Sequence, residues 1–436
     1  MNDQRKFWKL ASTNIAGENM LLSKHPDQYL GFKNWPTYFS KTKGIEVWDL
    51  NKKKYLDFSI MGVGTNSLGY SNKYIDDEVI KTIKKGNLST FNCYEEVQLS
   101  EKLLNINKWA NKVRFTRSGG EANAVAIRLA RAATGKSKIA VCGYHGWHDW
   151  YLAANHNDKK NLDNLILPDL KINGVPKELI NTVFPFKFND IASLKKIINN
   201  HNLAAIKIEV EKFKEPSLEF LKYIRFISER KNIVLIFDEC TSGFRETFGG
   251  IYLKHKINPD VVIYGKALGN GYAINAIVGK SQIMDSIKNT FISSTFWTER
   301  IGNVAALNTL KLMKQEQSWK KISLLGDYFK DNFKLIADIY GIKIKISGLK
   351  PLLNIEFLDF KNQLVRTYLM ERFLKNGILF NTLIFFSTEH KKSKINIYLD
   401  LLNKELSILK SMDNNDLIKL LKNKHLSNET FKRINN

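Results

Sequence analysis

The chain of 436 residues is too long for one simple core and fits two packed units. Apolar residues make up 44% and aromatic residues 11%, enough to bury a sizeable core, and no apolar run approaches the roughly 18 residues that span a bilayer. The formal net charge of +24 comes from lysines spread along the chain, not gathered into an arm interleaved with aromatics. That pattern argues against a dedicated nucleic-acid surface, a reading that rests on charge alone, and favours at most a pull on anionic small molecules.

The first segment, MNDQRKFWKLAST, has no apolar signal core and mixes acids with bases, so no leader peptide is expected. Gly44 to Phe58 reads as a β-hairpin, two alternating runs around a polar turn. A glycine-bearing segment, Met61 to Gly69, precedes helical patterns that run to about Leu104. The cysteines Cys93, Cys142 and Cys240 are odd in number and far apart, which predicts neither a disulfide framework nor a metal site and places the chain in a reducing cytoplasm.

From about Lys112 strands and helices alternate. Thr116 to Ala122 (TRSGGEA) runs into a stretch with Val125, Ala126, Leu129, Ala130 and Ala133 at helical spacing, stopped by Gly135. A Ser118-Gly119-Gly120 turn therefore opens a helix. Its free N–H groups and the helix dipole suit a phosphate, although Ser118 alone would make an ordinary N-cap. After the strand Ile139 to Cys142, Tyr144-His145-Gly146-Trp147-His148 puts an aromatic ring at a strand end, where it either stacks on a planar ligand or rims the core. His145 and His148 have no companion carboxylates or cysteines, so no metal is expected. Further strands are read at Ala204 to Val210, Ile233 to Phe237 and Val261 to Tyr264, with the helix Leu218 to Glu229 starting after Pro216-Ser217. This alternation predicts a mostly parallel α/β sheet with its ligand at the carboxyl ends of the strands.

Two such ends carry chemistry. The buried run Ile233 to Phe237 exits into Asp238-Glu239, and the strand Val261 to Tyr264 exits into Gly265-Lys266-Ala267-Leu268-Gly269. A lone lysine after a strand is ordinarily a solvated surface residue. Enclosed by glycines it can reach a bound cofactor, and desolvation beside another cation would make it nucleophilic. A lysine for an imine and a carboxylate for a ring nitrogen are what pyridoxal 5'-phosphate (PLP) needs to act as an electron sink. Lys266 is assigned the imine and the proton shuttle, and Asp238 the pyridine nitrogen. From about Ala305 a long helix leads into a strand–helix–strand–helix tail, and Met412 to Asn436 reads as a helix with a polar end.

Taken in order, the hairpin with Asp49 and Asp57, the SGGEA turn, YHG, the DE…GFR block, GKALGNG and the LKNGIL segment near Gly377 resemble class III aminotransferases of PLP fold type I. The likeness covers nearly the whole chain and is strongest to the glutamate-1-semialdehyde 2,1-aminomutase group. It implies a large PLP-binding domain (71–305) with a seven-stranded-type sheet. It also implies an N-terminal arm (1–70) packing with a smaller C-terminal α+β domain (306–436), and a homodimer with shared active sites. It places Ser118, Gly119 and Gly120 on the phosphate, Tyr144 on the pyridine ring with His145 beside it, and Glu209 at the glutamate of a Glu-Pro pair whose proline is Val210 here. Thr295 reaches the neighbouring subunit's phosphate, with Thr298 as a rival. Gly120 stands for the usual threonine, and the segments after Lys266 and around Trp297 depart from the family pattern. The expected activity is transfer of an amino group between small molecules by a transaminase, with PLP and pyridoxamine 5'-phosphate as alternate forms. The alternatives are an intramolecular aminomutase and a PLP-fold protein that only binds. Phe296-Trp297 and Glu299-Arg300 are read equally as substrate contacts or interface residues, and Arg245 and Arg300 are candidates for a substrate carboxylate.

Overall fold

The computed structural model describes residues 3–159, 161–162, 172–421 and 426–427. Lys73–Trp319 forms one compact unit, and the described residues up to Asn72 join those from Lys320 onward in another.

The unit Lys73–Trp319 is built on seven strands: β1 (Lys112–Thr116), β2 (Lys138–Cys142), β3 (Val183–Pro185), β4 (Leu203–Glu209), β5 (Val234–Glu239), β6 (Val261–Tyr264) and β7 (Asn275–Gly279). Their order across the sheet is β1-β7-β6-β5-β4-β2-β3. β3, β2, β4, β5 and β6 pair in parallel, and β7 runs antiparallel to both β6 and β1. The central strands β4 and β5 are buried along their whole length. A strand covered on both faces reads as a near-continuous apolar run, which is why these are visible in the sequence.

The helix Gly119–Thr134 presents Ala122, Val125, Ala126, Leu129 and Ala130 to the sheet, and Gly135 ends it in the left-handed conformation (φ 67°). Leu218–Arg230 starts where Ser217 accepts the Phe220 N–H. The helix Arg300–Glu316 belongs to this unit, so the change of unit falls at residue 320, not 306. Its buried residues Val304, Ala305, Leu310 and Met313 pack beside Lys73–Lys84 and Glu95–Ile106, and Gln317 (φ 50°) breaks the helix.

In the other unit the expected hairpin is Glu46–Asp49 paired with Lys54–Phe58. A polar edge strand, Phe39–Lys43, extends it, and Ile378–Phe380 adds in parallel to Lys54–Phe58. Gly377 just before it takes φ 72°, and a Cβ there would stand 3.4 Å from the Lys54 carbonyl. The tail differs from its expected order. Ile344–Ser347 pairs with Leu352–Phe357, and Leu383–Phe385 completes that sheet, around the helices Asn362–Lys375 and Lys392–Leu409. Strands this short separated by tight turns leave too few residues to show a period. Of the terminal helix read from Met412, Asn414–Leu420 is helical, and most of the chain beyond Leu421 lies outside the described residues.

Candidate active site

Asp238 closes the buried run of β5 and is 2% exposed. His145 Nδ1 lies 2.9 Å and Lys207 Nζ 3.2 Å from its Oδ2, and the Cys240 N–H donates to Oδ1 at 3.2 Å. Burial alone would raise this carboxyl. The Lys207 ammonium and the His145 hydrogen bond overturn that and hold it far below the usual carboxylate range. An ionised carboxylate only accepts, so His145 carries its proton on Nδ1.

Lys266 stands at the end of the neighbouring strand, β6. It is a non-glycine residue in the left-handed region (φ 45°), a conformation that a surrounding structure must enforce. Its Nζ donates to Thr241 Oγ1 at 2.9 Å. Gly265 before it is required by space: a Cβ would lie 2.0 Å from Asn275 Oδ1. Removal from water pushes the Lys266 amine down to about 7, and the cations Lys212 and Arg245 press the same way. Arg245 is 0% exposed and gives its Nε to the Thr241 carbonyl, so it acts on this site through its field and not as a substrate contact.

The Ser118 turn is tied to the same place, since a Cβ on Gly119 would stand 3.7 Å from Cys240 Sγ and 3.8 Å from Asn275 Oδ1. Ser118 is the N-cap in a full capping box: its Oγ accepts from Glu121 N, while Glu121 Oε2 accepts from Ser118 N at 2.8 Å and Arg117 N at 2.9 Å. Gly119 and Gly120 open the helix, where N–H groups have no carbonyl one turn earlier. The space beside Gly120 belongs to His148, whose Cε1 would be 3.3 Å from a Cβ there.

Glu209, 3% exposed at the end of β4, accepts the Tyr144 N–H at 2.8 Å and so fixes the loop that carries the Tyr144 ring. Gly143 (φ 111°) gives the carboxylate room, for a Cβ would meet it at 2.9 Å.

The segment around Trp297 is largely consumed by structure. Glu299 caps the helix Arg300–Glu316 and pairs with Arg117 at 2.8 Å. Arg300 grips Glu95 with Nε at 3.2 Å and a terminal nitrogen at 2.6 Å, which removes it as a candidate for a substrate carboxylate. Trp297 Nε1 donates to Glu121. Thr295 and Thr298 are both exposed, and Thr298 gives its hydroxyl to the Thr295 carbonyl at 2.8 Å. After Lys266, Tyr272 donates to Asp76 at 2.8 Å, so the altered glycine segment is anchored to the helix Lys73–Lys84.

Lys207, Lys212, Thr241, Cys240 and Asn275 join the site without having been candidates on sequence grounds. Lys207 carries a signal, a lone charge inside the apolar run AAIKIEV. The others are ordinary loop or strand residues until the fold assembles them. Among the described residues no helix is long and apolar enough to cross a membrane, and no group of three or more His, Cys, Asp or Glu could hold a metal ion.

The family model for class-III aminotransferases matches residues 31–385. Among similar proteins, the 3-aminobutyryl-CoA aminotransferase of Cloacimonas acidaminovorans is 32% identical over 351 residues, covering 78% of this chain and 79% of its own. The glutamate-1-semialdehyde 2,1-aminomutase of Sulfolobus acidocaldarius is 28% identical over 427 residues, covering 92% and 98%. In fold, the chain is similar to the FumI protein of Sphingopyxis sp. MTA144, solved in its PLP internal aldimine form (TM-score 0.85, 21% identity, 96% of this chain and 98% of that one). It is also similar to an omega-transaminase from Sphaerobacter thermophilus (TM-score 0.82, 22% identity, 93% and 97%).

Proposed function

Because this chain belongs to the class-III aminotransferases, PLP-dependent enzymes of amino-group transfer with the type I fold, we propose that Lys266 Nζ is its covalent anchor for PLP and Asp238 the partner of the ring nitrogen. The observation that carries this reading is a lysine pushed toward neutrality beside an ionised, buried carboxylate at the ends of neighbouring strands. The donor set fits the cofactor. The first-turn N–H groups of Gly119 and Gly120 suit its phosphate. The Tyr144 ring, braced by Glu209, suits its flat face. The glycine at 265 lets the chain turn closely past Asn275. In this assignment Lys73–Trp319 is the PLP-binding unit and Ser118 acts as the helix cap that holds the phosphate turn in shape.

When bound, PLP supplies a carbonyl that condenses with primary amines and a protonated ring that takes up the electrons released as a proton leaves the adjacent carbon. Asp238, held ionised, would keep a proton at the ring nitrogen, while His145 holds the carboxylate in place. Lys266 Nζ would be the group that accepts the proton leaving the substrate carbon and gives it back at the site, with Thr241 Oγ1 accepting from Nζ and keeping the amine in place. Lys212, half-buried, and the buried Arg245 make the surroundings of Lys266 cationic, which favours donors and acceptors that bear a carboxylate or another anion.

Lys266 reaches its reactive form near neutrality. The rate at which unloaded chain takes up PLP, followed by absorbance in a stopped-flow instrument, should be half-maximal near pH 7 and flat above about pH 9, because an amine with a lowered pKa is deprotonated there. A rate still climbing through pH 10 is the behaviour of an ordinary lysine and would contradict the assignment.

The favoured reaction is intermolecular transamination, with donor and acceptor as separate small molecules. An intramolecular glutamate-1-semialdehyde aminomutase is the second reading, favoured by the end-to-end similarity to the Sulfolobus acidocaldarius enzyme. A donor–acceptor screen separates them. Amino transfer that requires both partners supports the first, and conversion of the semialdehyde with no added donor replaces it with the second.

The working unit in this reading is a homodimer. Phe91 (85% exposed), Phe291 (84%) and Phe296 (71%) stand in water, and close to them in sequence Asn92, Ser293 and Thr298 border one cleft of about 310 Å³. Such a patch fits a second copy of the chain. Thr295, whose neighbour Thr298 has already spent its hydroxyl, is the better candidate to reach the partner's phosphate. The three free thiols fit a reducing cytoplasm.

A further inference from the structure

Lys207 is a charge that amino transfer does not call for. It lies inside β4, paired across the sheet with Val141 and Ile236, and it is 0% exposed. Its strand neighbours Ile206 and Ile208 are equally buried, and an apolar side chain would fill the position without losing hydration. A lysine placed there keeps three donors that need partners. Among the described residues its Nζ makes no hydrogen bond of good geometry and forms one ion pair, with Asp238 Oδ2 at 3.2 Å.

The register explains the approach. Glu209 stands opposite Asp238 across the β4–β5 pair, and Lys207 lies two residues earlier on the same face of β4. Its long side chain crosses from β4 to the carboxylate from below. Asp238 Oδ2 is then shared by Lys207 and His145, and Oδ1 takes the Cys240 N–H. A buried carboxylate with only neutral donors would be severely penalised, and Lys207 is the cation that answers it.

We propose that Lys207 is a positioning residue, the built-in counter-ion of Asp238, which neutralises the carboxylate before the cofactor arrives and shares it with the ring nitrogen afterwards. The proposal rests on the reading that Asp238 faces that nitrogen. It means that the chain divides its electrostatic hold on the ring between two cations. The ring proton is therefore held less tightly than an unshared Asp238 would hold it. Removing Lys207 leaves the cofactor ring as the cation that must answer Asp238.

The test uses full-length chain stripped of cofactor and two probes, PLP and its 1-deaza analogue, which has carbon in place of the ring nitrogen. Wild type should bind the two within a few-fold of each other. Lys207→Met should bind PLP relatively more tightly and widen the ratio of the two Kd values by about tenfold or more, one unit in log Kd. The double variant Lys207→Met/Asp238→Asn, with both charges gone, should return the ratio to near that of wild type. Thermal shifts on adding each probe should follow the same order. If Lys207→Met does not fold, Lys207→Gln, which keeps the length and loses the charge, carries the measurement. An unchanged ratio in the folded single variant overturns the counter-ion role. Failure of wild type to bind PLP at all is a different result and overturns the cofactor assignment itself.

Discussion

Lys266→Ala should lower turnover by about 10⁴-fold or more, the upper end of what positioned acid–base groups contribute, because it removes both the covalent anchor and the group that carries the proton. PLP binding should survive in weaker form, since the Gly119–Gly120 turn, Tyr144 and Asp238 are untouched. Fold stability should change little: the lysine is half-buried in a strained left-handed conformation, and its side chain is held by a single neutral hydroxyl among the described residues, Thr241 Oγ1 at 2.9 Å. Steady-state rates with equilibrium dialysis of PLP measure both outcomes. A variant that keeps even a tenth of the wild-type rate contradicts the role.

Asp238→Asn should cost about 10²–10³-fold in kcat, the range seen when one preorganised electrostatic partner is removed, because the ring nitrogen loses the carboxylate that keeps it protonated. It should also destabilise the cofactor-free protein by about 3–5 kcal/mol, since it strands the buried Lys207 ammonium without its counter-charge. The two effects separate in Lys207→Met/Asp238→Asn. Denaturant unfolding of the cofactor-free double variant should recover most of the lost stability, while its kcat stays low. If the single variant is as stable as wild type, the Lys207–Asp238 pair does not carry the charge balance of the buried site.

The parts of the fold legible in the sequence share a physical cause. β2, β4, β5 and β6 lie in the interior of a mostly parallel sheet and read as apolar runs. Asp238 and Lys266 sit where two of those runs stop, so their change of chemistry is visible against the strand before them. Phe39–Lys43 is invisible because an exposed edge strand needs no apolar face, and its sequence FSKTK shows none. The boundary expected near residue 305 is misplaced because the helix Arg300–Glu316 buries its apolar face within Lys73–Trp319, a tertiary choice that periodicity does not encode. Arg300 is a candidate until its partner Glu95, 205 residues away in sequence, becomes its neighbour in space. Thr241 and Asn275 gain meaning only when the ends of β5, β6 and β7 meet. Lys207 is the opposite case: a charge inside an apolar run is legible, but its purpose is visible only once Asp238 stands 3.2 Å away.

Reduction of the loaded protein with borohydride, followed by peptide mapping, tests the central claim most directly. The purified chain should be yellow with PLP, and reduction should fix the cofactor on the peptide that contains Lys266. Attachment to a peptide containing Lys207 or Lys212 instead, or a colourless protein that takes up no added PLP, would contradict it.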